Sequence, residues 1–302
     1  MLFEHFFVLK ITYLRKKHNR VSFKMIKPSI FHSHCSFCDG HASAEEFVKE
    51  AIREGFASYG FSSHAPLPFE TRWTIKKERV VDYLHEINRL KAKYAQQIEI
   101  YVGLEIDYLT DSHHPMIDYF RQLPLDYRIA SVHLLENQQG ELFDIDVPSE
   151  IFKQLICDHF HNDLEYAIQA YYAKQTKSVI TGGFDIIGHV DKISRNANYC
   201  EPGVTESAWY RKLVTDLLIM ISKKPIIVEI NTKAYLESGY FYPNEYLFPL
   251  LKELNIPVHV NSDAHFPEKI NDGRAEALNA LQKVGIHSLR ELHNNSWQEI
   301  SF

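Results

Sequence analysis

Only four cysteines (Cys35, Cys38, Cys157 and Cys200) occur in the 302-residue chain. Their spacing outlines no disulfide framework, which fits a reducing cytoplasm. Cys35-x-x-Cys38 could form half of a zinc site, but no second cysteine pair exists to complete it, so a structural role is expected. A glycine-rich phosphate loop is also missing: Thr181-Gly182-Gly183-Phe184 lacks the required Gly-x-Gly-x-x-Gly spacing. Excess positive charge is absent too. A net charge of −6 argues against a nucleic-acid partner held by phosphate neutralisation.

Long apolar runs are wanting as well. Residues 1–9 are apolar and aromatic but interrupted by Glu4 and His5, and residues 10–20 are basic. The stretch is too short to span a bilayer, and it lacks the charge order and cleavage site of a signal peptide. Between a membrane-surface anchor and a dispensable extension, the extension is expected, with residues 1–26 outside a domain that begins near Lys27. With 45% hydrophobic and 24% charged residues, the chain has enough apolar material for a large single domain.

Histidine is what the chain does have. Seventeen of them are roughly twice the ordinary allowance. His32-x-His34, read as the end of a short strand Ile30–His34, puts two imidazoles on one face. Asp263-Ala264-His265 repeats the pattern near the other end. In between, seven apolar segments alternate with helical ones. The strand candidates cover 30–34, 57–62, 98–104, 127–132, 186–188, 225–230 and 257–260. The helices are expected over 43–55 (opened by a Ser43/Glu46 capping box), 76–97, 112–122, 148–176, 205–222, 244–254 and 273–284. Alternation of this kind implies a parallel sheet.

Chemically rich residues follow strand after strand: His32 and His34, His64, Glu105, His133, His189, Asn231, then Asp263 and His265. A parallel barrel brings such ends to one mouth, whereas an open doubly wound sheet would gather them at a single switch point. Leaving Asn231 aside and adding His41, nine nitrogen and oxygen donors then share one rim, too many for one tetrahedral ion and suited to two or three bridged ions. His85, His113, His114, His159, His161, His287 and His293 are expected on helices or the tail without a metal role. His259 alternates inward with Asn261 and Asp263 and is expected behind a ligand.

Taken together, His32-x-His34, Ser62-Ser63-His64-Ala65-Pro66, Gly103-Leu104-Glu105-Ile106-Asp107-Tyr108, Ser131-Val132-His133, Gly188-His189-Val190-Asp191 and Asn261-Ser262-Asp263-Ala264-His265 resemble the polymerase and histidinol phosphatase (PHP) family. Within it the chain looks like the branch that hydrolyses L-histidinol phosphate in histidine biosynthesis. The resemblance runs from about Phe31 to Gly273. It implies a distorted (β/α)7 TIM-like barrel with three divalent ions (Fe, Zn or Mn). His32, His34, Glu105 and Asp263 would hold the first ion, and Glu105, His133 and His189 the second. His41, His64 and His265 would hold the third, with Asp39 as a rival to His41.

The implied chemistry is attack of a metal-bridging hydroxide on phosphorus, with Asp263, or else His265, carrying the proton to the leaving group. Arg195, expected on a loop after His189, and Lys233 would meet the phosphate. Lys233 stands where relatives tend to carry an arginine, in Thr232-Lys233-Ala234-Tyr235. A small-molecule phosphomonoester is the expected partner, with no nucleic acid and no membrane. The rivals are another phosphomonoester, a nucleic-acid end, or a non-catalytic metal store.

Overall fold

A computed structural model describes residues 28–302 of the chain; the expected N-terminal extension lies outside them. Seven strands run parallel in the order of the sequence. They are β1 (Ser29–Ile30), β2 (Ser58–Phe61), β3 (Glu99–Asp107), β4 (Tyr127–Ser131), β5 (Ile186–Ile187), β6 (Ile227–Asn231) and β7 (Val258–Asn261). The two ends of the sheet meet through a parallel bridge between Ser33 and Ala264. There the His34 N–H donates to Ala264 O at 2.9 Å. The sheet is thereby a nearly closed, distorted (β/α)7 barrel. Its strands are apolar along most of their length because helices cover the outside and side chains fill the inside. No described helix is long and apolar enough to cross a membrane.

The first helix, Ala44–Arg53, opens on the expected capping box: Ser43 accepts from Glu46 N, and the Glu46 side chain bonds the Ser43 N–H. Phe47, Val48 and Ala51 are its buried face. The second begins later than its pattern suggests, at Val80, after a 3-10 turn over Lys77–Arg79. Its core stripe includes Tyr83, while Val81 points to solvent at 55% exposure.

Three expectations fail for local reasons. Residues 112–117 form a turn closed by a Thr110–His113 bridge, and the helix starts only at Asp118. The long helix over 148–176 divides into Ser149–His159 and Leu164–Thr181, because His161 and Asn162 adopt left-handed backbone (φ 54° and 57°). Arg195 lies on a helix, Ile193–Cys200, rather than on a loop. The C-terminal tail is an antiparallel hairpin, Ser288–His293 with Ser296–Ser301. Asn294 and Asn295 make its turn at positive φ, which asparagine tolerates better than most residues.

That hairpin closes the N-terminal end of the barrel. Trp297 sits 5.3 Å from the Phe31 ring and donates from Nε1 to Asp185 at 3.1 Å. Phe31, Tyr101, Tyr127, Ile129, Ile186 and Ile227 complete this lower layer. The Tyr127 hydroxyl lies 2.6 Å from Phe31 O and 2.9 Å from Phe61 O, tying three strands together. Glycine at 103 leaves room for its ring, because a Cβ there would stand 2.6 Å from Tyr127 Cζ. The floor thus seals one end of the barrel and leaves the other for chemistry. Gly103→Ala is expected to displace Tyr127 and cost about 1–3 kcal/mol. A urea unfolding curve checks this: the midpoint should fall, and an unchanged midpoint would show that Tyr127 does not need that space.

Candidate metal centre

The open rim collects the ends of all seven strands. His32 and His34 follow β1 two residues apart, so their rings share one face, with centroids 5.2 Å apart. His64 follows β2 and bridges backbone to Glu105 near the end of β3. His133 and His189 follow β4 and β5, and Asp263 and His265 follow β7. His189 and Asp263 take left-handed backbone, φ 22° and 49°. Non-glycine residues seldom adopt this conformation, and it concentrates where a side chain must be aimed.

Glu105 is the centre. Its Oε2 lies 3.2 Å from His32 Nε2, 2.9 Å from His64 Nδ1 and 3.6 Å from His34 Nε2. Its Oε1 lies 3.0 Å from His189 Nε2 and 3.5 Å from His133 Nε2. Asp263 Oδ1 stands 3.0 Å from His34 Nε2 and 3.7 Å from His32 Nε2. Asp39 approaches His265 Nε2 at 3.4 Å and His64 Nε2 at 3.8 Å. Four overlapping groups have ligand atoms close enough to share an ion: His34–Asp39–His64–His265, His32–His34–Asp263, His32–Glu105–His189 and His64–Glu105–His133.

Eight of the nine expected donors therefore meet, and the ninth does not. His41 is exposed and stacks on Phe266, with centroids 4.1 Å apart. Its backbone N–H donates to His265 O at 2.8 Å, which turns the ring outward while Asp39 turns in. Neither Cys35 nor Cys38 joins any of the groups. The Cys38 sulfur instead lies 3.6 Å from the far ring nitrogen of His34.

These donors fit metal ions on their own evidence. His32 Nε2, His34 Nε2, Asp39 Oδ1, His64 Nδ1, Glu105 Oε2 and Asp263 Oδ1 are buried and, close as they lie to one another, make no properly directed hydrogen bond. An orphaned buried polar atom costs on the order of 1–3 kcal/mol, so six at one spot call for something that binds them all. Three carboxylates among imidazoles ask for positive charge, and mixed nitrogen and oxygen donors suit divalent transition metals.

Electrostatics points the same way. Burial pushes Glu105 towards the neutral acid, but His32, His64 and His133 outweigh it and hold the carboxyl well below its usual range. Burial disfavours a charged His32, yet Glu229, Glu105 and Asp263 hold its pKa well above the ordinary value. His34 is driven the other way, by burial and then by His64 and His265, and keeps a free lone pair. A metal entering here displaces protons from imidazole.

Behind the donors stands a second set of groups that the strand-end reading does not single out. Glu229 lies inside β6, accepts from His32 Nδ1 at 2.6 Å and from the His189 N–H at 2.8 Å, and is itself held by Asn231 and Asn261. Asp107 does the same for His133 Nδ1 at 3.1 Å. A carboxylate on the far nitrogen fixes the tautomer and aims the other nitrogen at the metal. The one available clue to Glu229 was a charge within the apolar run Ile227-Val228-Glu229-Ile230. His259 was the expected occupant of this role. It points inward, but one layer lower, 4.8 Å from the Phe31 ring.

Beside the cluster opens a cavity of about 510 Å³ whose wall includes Asp263, Lys233, Lys192, Asp146, Arg195 and Tyr242. Lys233 Nζ lies 3.5 Å from Asp263 Oδ2, and Lys192 Nζ lies 3.0 Å from Asp146 Oδ2. Arg195, half-buried, reaches this cavity from its helix.

Comparison with known proteins agrees with this architecture. A histidinol-phosphatase of Bacillus subtilis is 28% identical over 251 residues, which cover 78% of this chain and 92% of that one. A crystal structure of a candidate histidinol phosphatase from Listeria monocytogenes superposes with a TM-score of 0.74 at 25% identity, over 82% of this chain and 99% of that one. Histidinol phosphate phosphatase from Lactococcus lactis, crystallised with zinc, L-histidinol and phosphate, shares the fold with a TM-score of 0.70 at 21% identity, over 90% and 99% of the two chains. The PHP domain model matches residues 31–233. The chain belongs to the PHP-domain family.

Proposed function

We propose that this protein is a metal-dependent phosphomonoesterase that hydrolyses L-histidinol phosphate to L-histidinol and phosphate, a step of histidine biosynthesis in the cytoplasm. The observation that carries the reading is the convergence of six orphaned, buried donor atoms on Glu105, Asp263 and their imidazoles beside a cavity lined with cations. The related phosphatases support the choice of substrate.

Three ions are the natural complement of the donor set. His32, His34, Glu105 and Asp263 would hold one, Glu105, His133 and His189 a second, and Asp39, His64 and His265 a third, with Glu105 shared. Divalent Zn, Fe or Mn ions bound there would lower the pKa of water, supply hydroxide for attack on phosphorus and neutralise the phosphoryl oxygens. Arg195 offers a planar fork and Lys233 a point charge to those oxygens from the cavity side. Asp263 is the proton carrier, because its Oδ2 faces the cavity between Asn231 Nδ2 at 3.2 Å and Lys233. His265 is the weaker candidate: its Nδ1 is engaged by Asp263 O at 3.0 Å, and its Nε2, towards Asp39, would be taken by the third ion.

Elemental analysis of purified variants tests the third ion. Asp39→Asn should lose about one metal equivalent, whereas His41→Ala should keep the full complement; the reverse pattern would restore His41 as the ligand. Phosphate release tests the reaction itself. Activity on L-histidinol phosphate should exceed that on simple phosphomonoesters at least ten-fold in kcat/KM, and a chelator should abolish it. Glu105→Gln should cost a factor of about 10³ or more, on the scale of a lost electrostatic stabiliser. Turnover that survives metal removal, or no preference among phosphomonoesters, would refute the assignment.

A further inference from the structure

Asp146 is a carboxylate of the cavity for which metal binding has no use. It follows the hairpin formed by Leu134–Glu136 and Leu142–Asp144, just beyond His133. Its side chain is 38% exposed, towards the cavity it lines, while the Lys192 chain beneath it is 5% exposed. Lys192 holds Oδ2 at 3.0 Å and is itself backed by the Tyr242 ring, 5.2 Å from the ammonium. Lys233 lies between the two acids, 3.9 Å from Asp146 Oδ2 and 3.5 Å from Asp263 Oδ2. One ammonium thus already spans the gap from the metal cluster to Asp146.

We propose that Asp146, fixed from below by Lys192, is the specificity-determining group that receives the ammonium of an amino-alcohol phosphate whose phosphoryl group sits at the metal cluster. This rests on the substrate reading above and deepens it. L-Histidinol phosphate carries its ammonium on the carbon next to the phosphorylated one, so the two charges are a short arm apart. A phosphoryl dianion entering beside Asp263 competes for Lys233. Asp146 then keeps Lys192 alone and regains its attraction for a second cation. The substrate ammonium takes the position that Lys233 occupies between the acids in its absence. Charge-assisted hydrogen bonds of this kind are worth about one to two orders of magnitude in discrimination.

The test compares two substrates on wild type and Asp146→Asn: L-histidinol phosphate and its des-amino analogue, 3-(imidazol-4-yl)propyl phosphate. Wild type should favour the amine-bearing substrate by about ten-fold or more in kcat/KM, expressed in KM. Asp146→Asn should bring that ratio close to one. A near-isosteric change at a partly exposed site is chosen to spare the fold, and Asp146→Ser provides the same ratio should it not. If wild type prefers the amine and the variant still does, Asp146 does not read it. If the variant loses both activities in parallel, so that the ratio persists, Asp146 serves only to hold Lys192 and Lys233, and the inference is overturned. If wild type hydrolyses neither substrate, it is the substrate reading that fails. If wild type hydrolyses both equally, amine recognition fails while phosphatase activity stands.

Discussion

A buried carboxylate with four imidazoles within 3.5 Å is the constraint on which the rest of the molecule depends. Glu105 is fully buried, and Ser131 Oγ donates to its Oε1 at 2.6 Å, yet Oε2 has no hydrogen-bond partner. Burying an ion in this way is costly unless cations compensate it. The barrel supplies the means: β3 is its longest strand, nine residues, and delivers Glu105 to the axis, where every neighbouring strand end can reach it. Closure at Ser33–Ala264 brings the first and last strands together, so that His32, His34 and Asp263 meet there as well.

Two layers divide the labour inside the barrel. The lower one is aromatic and dry, with Tyr127 and Trp297 packed about Phe31 beneath a C-terminal hairpin. The upper one is polar and is ordered by carboxylates that stand behind imidazoles. Glu229 exemplifies the link between them. Within one β6 side chain it orients His32, anchors the His189 backbone and is clamped by two asparagines. Rigid support of this type keeps donor atoms aimed at a common point while each remains unpaired.

How much of this could be read from the chain follows from where each residue sits. Strand-end positions were legible because parallel strands converge at their C-terminal ends, so His64, Glu105, His133, His189 and Asp263 needed only their spacing. Glu229 was hidden because it lies within a strand, where alternation alone does not separate a buried charge from an outward one. His259 misled for the same reason: period two gives the face but not the depth. The choice between Asp39 and His41 depends on a tight turn in which the Gly40 N–H donates to Cys35 O at 3.2 Å, a three-dimensional detail no periodicity carries. Helix breaks at His161 and Asn162 and the hairpin turn at Asn294 and Asn295 use left-handed residues other than glycine, and these are weak punctuation in a sequence.

The proposal that Glu105 would be shared between metal ions is tested most directly by anomalous X-ray scattering from crystals of the purified protein. The account predicts strong anomalous peaks about 2.0–2.2 Å from each Glu105 oxygen, with a further peak among Asp39, His64 and His265. A map with metal elsewhere, or with no peak within bonding distance of the Glu105 carboxylate, would contradict it.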